Sequence, residues 1–299
     1  MPQIRANGIT LEYEIQGDVN GEPILLIAGA GSQLSRWPQE FRDKLADRGF
    51  RVIVYDHRDV GLSEKMETAG VPDIDAVMDA VRKGEAPPVA YTMADLVADA
   101  AALLDALGIE RAHVAGGSMG GMIGQLLAAD YPHKVLSLTS IRSSSGDPDL
   151  PQPAPELIAQ FTSHGPDPHD DFEGYLAHAV KSERLLSPGY PETDAFLREQ
   201  ATIEFKRCFY PVGILRHYAA GRASPARSPK LRTITAPTLV IHGDSDVLLP
   251  VECAQSTAAN IPGATLKIYP GMGHDLPRAL FDDFVADIAA VAARAKATA

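Results

Sequence analysis

Val114-Ala115-Gly116-Gly117-Ser118-Met119-Gly120-Gly121 is a short apolar run that breaks into glycines around one serine, and it resumes as Met122-Ile123-Gly124-Gln125-Leu126-Leu127. The pattern predicts a strand, a sharp turn and a helix. Gly116-x-Ser118-x-Gly120 fits a nucleophile elbow, in which the serine sits at a strained backbone position and small neighbours let strand and helix approach closely. The hydroxyl then points outward from the end of a sheet. The helix behind it aims its free N–H groups and positive dipole end at any oxyanion formed there.

Working outward, Ile24-Leu25-Leu26-Ile27 is apolar on consecutive residues, as a strand covered on both faces must be, and it ends in Ala28-Gly29-Ala30-Gly31. Arg51 to Tyr55 reads as the next buried strand and leads into Asp56-His57-Arg58-Asp59-Val60-Gly61-Leu62-Ser63. A helix from Trp37 to Arg48, closed by Gly49, joins the two. At the start of the chain Ile9, Leu11, Tyr13 and Ile15 alternate with polar residues after Asn7-Gly8, which predicts a hairpin at an antiparallel sheet edge. Ile74 to Lys83 reads as a short helix, and Thr92-x-x-Asp95 opens a strongly periodic one ended by Gly108.

Val135 to Thr139 gives one more strand, and then the alternation of strand and helix stops. From 143 to 229, Pro, Asp and Ser clusters separate segments of helical period around Leu157, Tyr175 to Lys181, Ala195 to Phe209 and Ile214 to Ala219. This predicts a helical cap inserted between a first core part, 1–142, and a second, 230–299. Thr238 to Ile241 and Leu266 to Tyr269 restore the strands, and Ala279 to Ala295 is a closing helix with an apolar stripe.

Composition removes several function classes. A formal net charge of −12 supplies no electrostatic footprint for nucleic acid or for an anionic membrane surface. With 299 residues and 45% hydrophobic content, one large core plus an excursion is the expected organisation. Cys208 and Cys253, the two cysteines, form no C-x-x-C, so neither a disulfide scaffold nor a thiolate metal site is expected. Met1-Pro2-Gln3-Ile4-Arg5 begins no secretory signal, and no later run has the apolar length of a membrane span, so a cytoplasmic protein is expected. Gly29-Ala30-Gly31 after a strand invites a dinucleotide reading, but Leu34 stands where the third small residue is needed.

A serine hydroxyl is a weak nucleophile at neutral pH, so the elbow needs a base and the base an orienting carboxylate. In an open parallel sheet both belong in loops beyond the carboxyl ends of strands. Those loops hold His242-Gly243-Asp244-Ser245-Asp246 and Pro270-Gly271-Met272-Gly273-His274.

The elbow and the chain order Ser118, Asp246, His274 resemble the α/β-hydrolase fold, and the likeness covers most of the chain outside the cap. It implies an α/β architecture: a mostly parallel central sheet, helices on both faces and an inserted helical cap. It further implies Ser118 as nucleophile, His274 as general base and acid, and Asp246 as the carboxylate holding the imidazole, with Asp244 as the alternative. The backbone N–H groups of Ala30 and Met119 would form the oxyanion hole, although Ala28 replaces the histidine that many relatives carry in that turn. The loop Asp56-x-Arg58-x-x-Gly61-x-Ser63, together with Tyr91, is similar to that of bacterial methylesterases acting on aclacinomycin-type anthracyclines. That likeness favours cleavage of a small hydrophobic carboxylic ester through an acyl-enzyme, with no cofactor and no metal.

Lactonase, thioesterase, carbon–carbon bond hydrolase and haloperoxidase or perhydrolase chemistry use the same three residues, and a receptor-like binder with little turnover uses the same fold. His57 and Arg58 are expected to support the strand ends rather than touch substrate. Trp37 is expected in the core, and His164, His169, Asp170 and Asp171 in a solvated loop. Tyr175, His178, Tyr190, His217 and Tyr218 are candidates for the inner face of the cap.

Overall fold

The computed structural model describes residues 2–297. Its eight strands are β1 (Gln3–Ala6), β2 (Ile9–Gln16), β3 (Glu22–Ile27), β4 (Phe50–Tyr55), β5 (Ala112–Gly117), β6 (Val135–Ile141), β7 (Thr238–Gly243) and β8 (Thr265–Tyr269). They form one sheet in the order β1-β2-β4-β3-β5-β6-β7-β8. The first two strands make the expected hairpin, with Ala6 opposite Ile9 and Asn7 and Gly8 both at positive φ. Strand β2 pairs antiparallel with β4, and every pairing from β4 to β8 is parallel. The continuous apolar strands therefore occupy the middle, where both faces are covered. The order reverses beside β3 and β5, whose ends carry Ala30 and Ser118, and such a reversal opens a crevice beyond the strand ends.

Helices α1 (Gln39–Asp47), α2 (Ile74–Lys83), α3 (Met93–Ala106) and α4 (Met119–Asp130) belong to the first part of the chain. Two cores result. One packs α3 and α4 on a sheet face through Leu96, Leu103, Leu104, Ile123 and Leu127. The other packs α1 and the closing helix α11 (Phe281–Ala297) on the opposite face through Trp37, Phe41, Leu45, Phe281 and Phe284. Helices thus cover both faces. Trp37 is buried in the second core and stacks on Phe41 at 5.6 Å between ring centroids. Thr92 and Asp95 cap α3 reciprocally, as the sequence predicts.

Between β6 and β7 the chain forms α5 (Pro155–Thr162), α6 (Phe172–Leu186), α7 (Asp194–Arg207), α8 (Val212–Arg222) and the single turn α9 (Ser228–Leu231). A helix absent from the sequence reading, α10 (Val251–Asn260), joins β7 to β8. Its buried positions, Cys253, Ala254 and Thr257, are small and one is polar, so the periodic signal is weak. Among the described residues no helix is long and apolar enough to cross a membrane.

Candidate active site

Ser118 stands between β5 and α4 at φ 56° and ψ −121°, a conformation an L residue holds only when its surroundings impose it. The glycines supply that constraint. A Cβ on Gly116 would lie 2.1 Å from the Gly120 carbonyl oxygen, one on Gly120 would lie 2.0 Å from that of Ile27, and one on Gly121 would lie 2.6 Å from Ser143 Cβ. The ends of β3 and β5 and the start of α4 are therefore in backbone contact, with the Ser143 side chain pressed against Gly121. Two further bonds fix the turn: the Ser118 N–H donates to Ile141 at 2.9 Å, and the Ser143 hydroxyl donates to the Ser118 carbonyl at 2.8 Å.

The loops after β7 and β8 bring the other two groups to the serine. His274 Nε2 lies 2.9 Å from Ser118 Oγ, and His274 Nδ1 lies 2.7 Å from Asp246 Oδ2. An ionised carboxylate only accepts, so the Nδ1 proton is donated to Asp246 and Nε2 is left to accept from the hydroxyl. The second oxygen of Asp246 accepts the N–H groups of Leu248 and Leu249 at 2.9 and 2.8 Å. Burial alone would raise the Asp246 carboxyl, but the charge of His274 and hydrogen bonds from His242 and His274 hold it well below the usual carboxylate range. Burial lowers His274, and Asp246 only partly offsets this. Asp244 is exposed and bonds instead to the Gly271 N–H at 2.7 Å, out of the imidazole's environment.

Ala30 follows β3 in a turn pressed against the elbow, since a Cβ on Gly29 would lie 3.4 Å from Ser118 Cβ. Met119 is the first residue of α4, whose opening N–H groups have no carbonyl one turn earlier in the helix. Both sequence-named donors thus flank the serine.

The loop from Asp56 to Ser63 braces this turn. His57 Nε2 donates to the Ala28 carbonyl at 3.0 Å, and Asp56 accepts the N–H groups of Leu34 and Leu62. Arg58 makes a two-point pair with buried Asp99, both bonds 2.6 Å, and lies over the Tyr91 ring. Asp59, at φ 65°, accepts from the Met66 N–H and pairs with Arg216 of α8 at 2.8 Å. Support of the strand ends is what His57 and Arg58 provide. No residue of this loop lines the cavity beside the site.

That cavity, about 350 Å3, reaches Ala30 and Arg142 and is roofed by α5, α6 and α7. Phe161, Tyr175, Phe196, Phe209 and Tyr210 give it an aromatic wall. Arg36, paired with Glu183 at 2.5 Å, gives it a charged one. Of the five residues proposed for the inner face, Tyr175 and His178 line it. Tyr190 instead donates to the Pro270 carbonyl, Tyr218 lies outside the lining, and His217 is buried against backbone. His164 and His169 pack edge-on against Phe209 and Phe205, and Asp171 caps α6.

Three neighbours of the site were not singled out in the sequence. Arg142, at φ 42° just past β6, donates to the His274 carbonyl at 2.7 Å; burial and repulsion from Arg36 push its guanidinium down. His242 donates to the Leu249 carbonyl at 2.7 Å and lies 3.3 Å from Asp246 Oδ2. Leu186 of α6 accepts the His274 N–H at 2.7 Å. Only His242 carried a signal, its place at the end of a strand four residues before Asp246.

The family model for the alpha/beta hydrolase fold matches residues 22–277. Rhodomycin D methylesterase of Streptomyces peucetius is 32% identical over 301 residues, covering 94% of each chain. Two solved structures share the fold at lower identity. A meta-cleavage product hydrolase from Pseudomonas fluorescens superposes with a TM-score of 0.75 at 18% identity, over 99% of this chain and 98% of its own. An enol-lactonase from Burkholderia xenovorans does so with a TM-score of 0.72 at 23% identity, over 97% and 99%.

Proposed function

This chain belongs to the α/β-hydrolase fold family, and from that membership we propose that it is a carboxylic ester hydrolase working through a Ser118-His274-Asp246 triad and a covalent acyl-enzyme. One observation supports this above the others: the unbroken chain from Ser118 Oγ through both nitrogens of His274 to Asp246, at 2.9 and 2.7 Å. As Ser118 Oγ bonds to the ester carbonyl carbon, its proton passes to His274 Nε2. Asp246 stabilises the imidazolium that results. The carbonyl oxygen becomes an oxyanion held by the Ala30 and Met119 N–H groups, each worth about two to three powers of ten in rate. Collapse breaks the carbon–alkoxy bond, and the leaving alcohol takes the Nε2 proton. Water then repeats the sequence in reverse roles and releases the acid.

The segment 143–229 acts in this reading as a cap that shapes the acyl pocket. A cavity of about 350 Å3 with an aromatic wall suits a bulky apolar acyl group. The name of the Streptomyces relative points to a methyl ester, and a methyl leaving group asks little room on the alcohol side. Methyl esters of polycyclic aromatic acids are therefore the first substrates to try.

Fluorophosphonate labelling with a panel of methyl and nitrophenyl esters tests the reading. The intact protein is expected to label on Ser118 and turn over. Ser118→Ala should lose about four to six powers of ten in kcat while melting like the parent. Labelling without turnover on any ester would favour a receptor-like binder, and turnover surviving in Ser118→Ala would remove the nucleophile assignment.

A further inference from the structure

Histidines hold the turn that carries Ala30 from two sides, and one of them comes from the helices between β6 and β7. His57 binds the Ala28 carbonyl. His217, on α8, has Nδ1 3.1 Å from the Gly31 nitrogen and Nε2 2.9 Å from the Arg58 carbonyl oxygen. A backbone N–H can only donate and a carbonyl only accept, so His217 is neutral with its proton on Nε2. Its surroundings keep it so. The ring is 1% exposed, stands edge-on to His57 at 5.6 Å and to Tyr91 at 5.9 Å, and burial brings its pKa down to about 3. Helix α8 touches the same turn again, where a Cβ on Gly31 would lie 2.6 Å from Ile214 Cβ.

Between the bound Ala28 carbonyl and the bound Gly31 N–H lies the Gly29–Ala30 peptide. Its carbonyl accepts the Ser32 N–H at 3.2 Å. In a trans peptide the C=O and N–H point opposite ways, so this bond turns the Ala30 N–H away from Ser32. The peptide units on either side decide how far that plane can rotate. One is fixed by His57 and the other by His217.

We propose that His217 is a positioning residue for the oxyanion turn, through which the seating of α8 sets the aim of the Ala30 N–H. The proposal rests on the assignment of Ala30 to the oxyanion hole. It makes the helical segment part of the rate-setting machinery as well as a wall of the pocket. It also identifies what holds this turn where Ala28 replaces the more usual histidine.

Two substitutions separate the two bonds of the ring. In His217→Asn the amide oxygen sits one bond from Cγ, as Nδ1 does, so an acceptor for Gly31 survives while the reach to Arg58 is lost. In His217→Gln the amide nitrogen reaches the Nε2 position and keeps the Arg58 bond but not the Gly31 acceptor. With a nitrophenyl ester and its thionoester, whose sulfur accepts hydrogen bonds weakly, the Gln variant should lose about ten- to a hundredfold in kcat, less than removal of a whole donor. Its KM should hold, and its oxo-to-thiono rate ratio should fall by a similar factor. The Asn variant should recover most of both. Equal losses in the two variants, or a Gln variant with the parent kcat and ratio, overturns the proposal.

A reading on the unsubstituted protein guards against variants that do not fold. In 15N-histidine spectra His217 should show a bare Nδ1 and a protonated Nε2, with Nδ1 shifting when a trifluoromethyl ketone adds to Ser118. The opposite tautomer, or no shift, overturns the proposal. If Ser118→Ala retains turnover, the hydrolase reading fails and takes this inference with it. A dead Ser118→Ala beside an unaffected His217→Gln removes the inference alone.

Discussion

The elbow and the helical segment above it are held by different physics. Around Ser118 the constraint is backbone against backbone, with glycines admitting approaches that a single methyl group would block. Above it, α5 has no fully buried residue, α6 has Leu176 and Leu186, and α7 has only Ala201. Helix α8 is seated more deeply, with Ala219 and Ala220 buried, and polar links add to that packing. Arg207 pairs with Asp56 at 2.7 Å, Arg216 with Asp59, and His217 with Gly31 and Arg58. A close-packed elbow tolerates no change of shape, which suits groups that must meet within a fraction of an ångström. A roof of half-buried helices can change its lining residues without disturbing them.

Short of removing Ser118 itself, changing charge at constant shape below the roof gives the largest effect expected. Asp246→Asn keeps the loop but offers an N–H or a neutral oxygen to His274 Nδ1, so the tautomer that accepts from Ser118 is no longer favoured. By analogy with the same change in serine proteases, kcat should fall about ten-thousandfold. Asp244→Asn, on the exposed side of the turn, should leave kcat within a factor of about two, since only its bonds with the Gly271 N–H and the Ser245 hydroxyl are altered. Equal losses in steady-state assays of the two variants would mean that the carboxylate has been misassigned.

The links to the roof come next. Arg207→Met leaves Asp56 as a buried, uncompensated carboxylate and should cost about 3 to 5 kcal/mol in denaturant unfolding. Arg198, paired with Glu173 across the exposed side of α6 and α7, is the control within the same segment. Its replacement by Ala should cost less than about 1 kcal/mol. Similar costs for both would show that the segment is docked by its general packing and not by these buried ions.

The contrast between the regions also explains what the sequence could convey. Alternating and continuous apolar runs marked every strand but β1, which the Asn7-Gly8 turn implied, because a buried face must be apolar wherever the chain crosses it. The elbow was legible because only small residues fit around Ser118. The histidine and carboxylate were legible because parallel strands deliver their loops to one edge. Arg142 was not, for its single bond to the His274 carbonyl joins residues 132 apart and follows no local period. Nor was the choice among cap residues, where helical period places Tyr175, His178 and His217 alike. The structure puts two of them on the cavity and makes the third a brace. Burial lowers His274 from the usual imidazole value, so activity should decline on acidification only below about pH 6.5.

Acid should act with opposite sign on the buried histidines and on two buried carboxyls. His57, His113, His217 and His274 are all kept neutral by burial, and their folded pKa values lie below those of the unfolded chain. As pH falls through about 6.5 the unfolded chain takes up protons that the folded one refuses, so the stability these groups confer above that pH is progressively lost. Glu204 of α7 and Asp275 beside the cavity work the other way, because burial raises both carboxyls and the folded form protonates first. These two carboxyls oppose only toward the lower end of the range, where the lowered carboxyls of Asp95, Asp147 and Asp246 join the histidines. Stability should therefore fall as the pH is lowered from about 6 to about 4. Denaturant titrations across that interval check this, and His217→Asn should flatten the slope by removing one of the four. A slope of zero or of opposite sign would mean that the raised carboxyls of Glu204 and Asp275 outweigh the buried histidines.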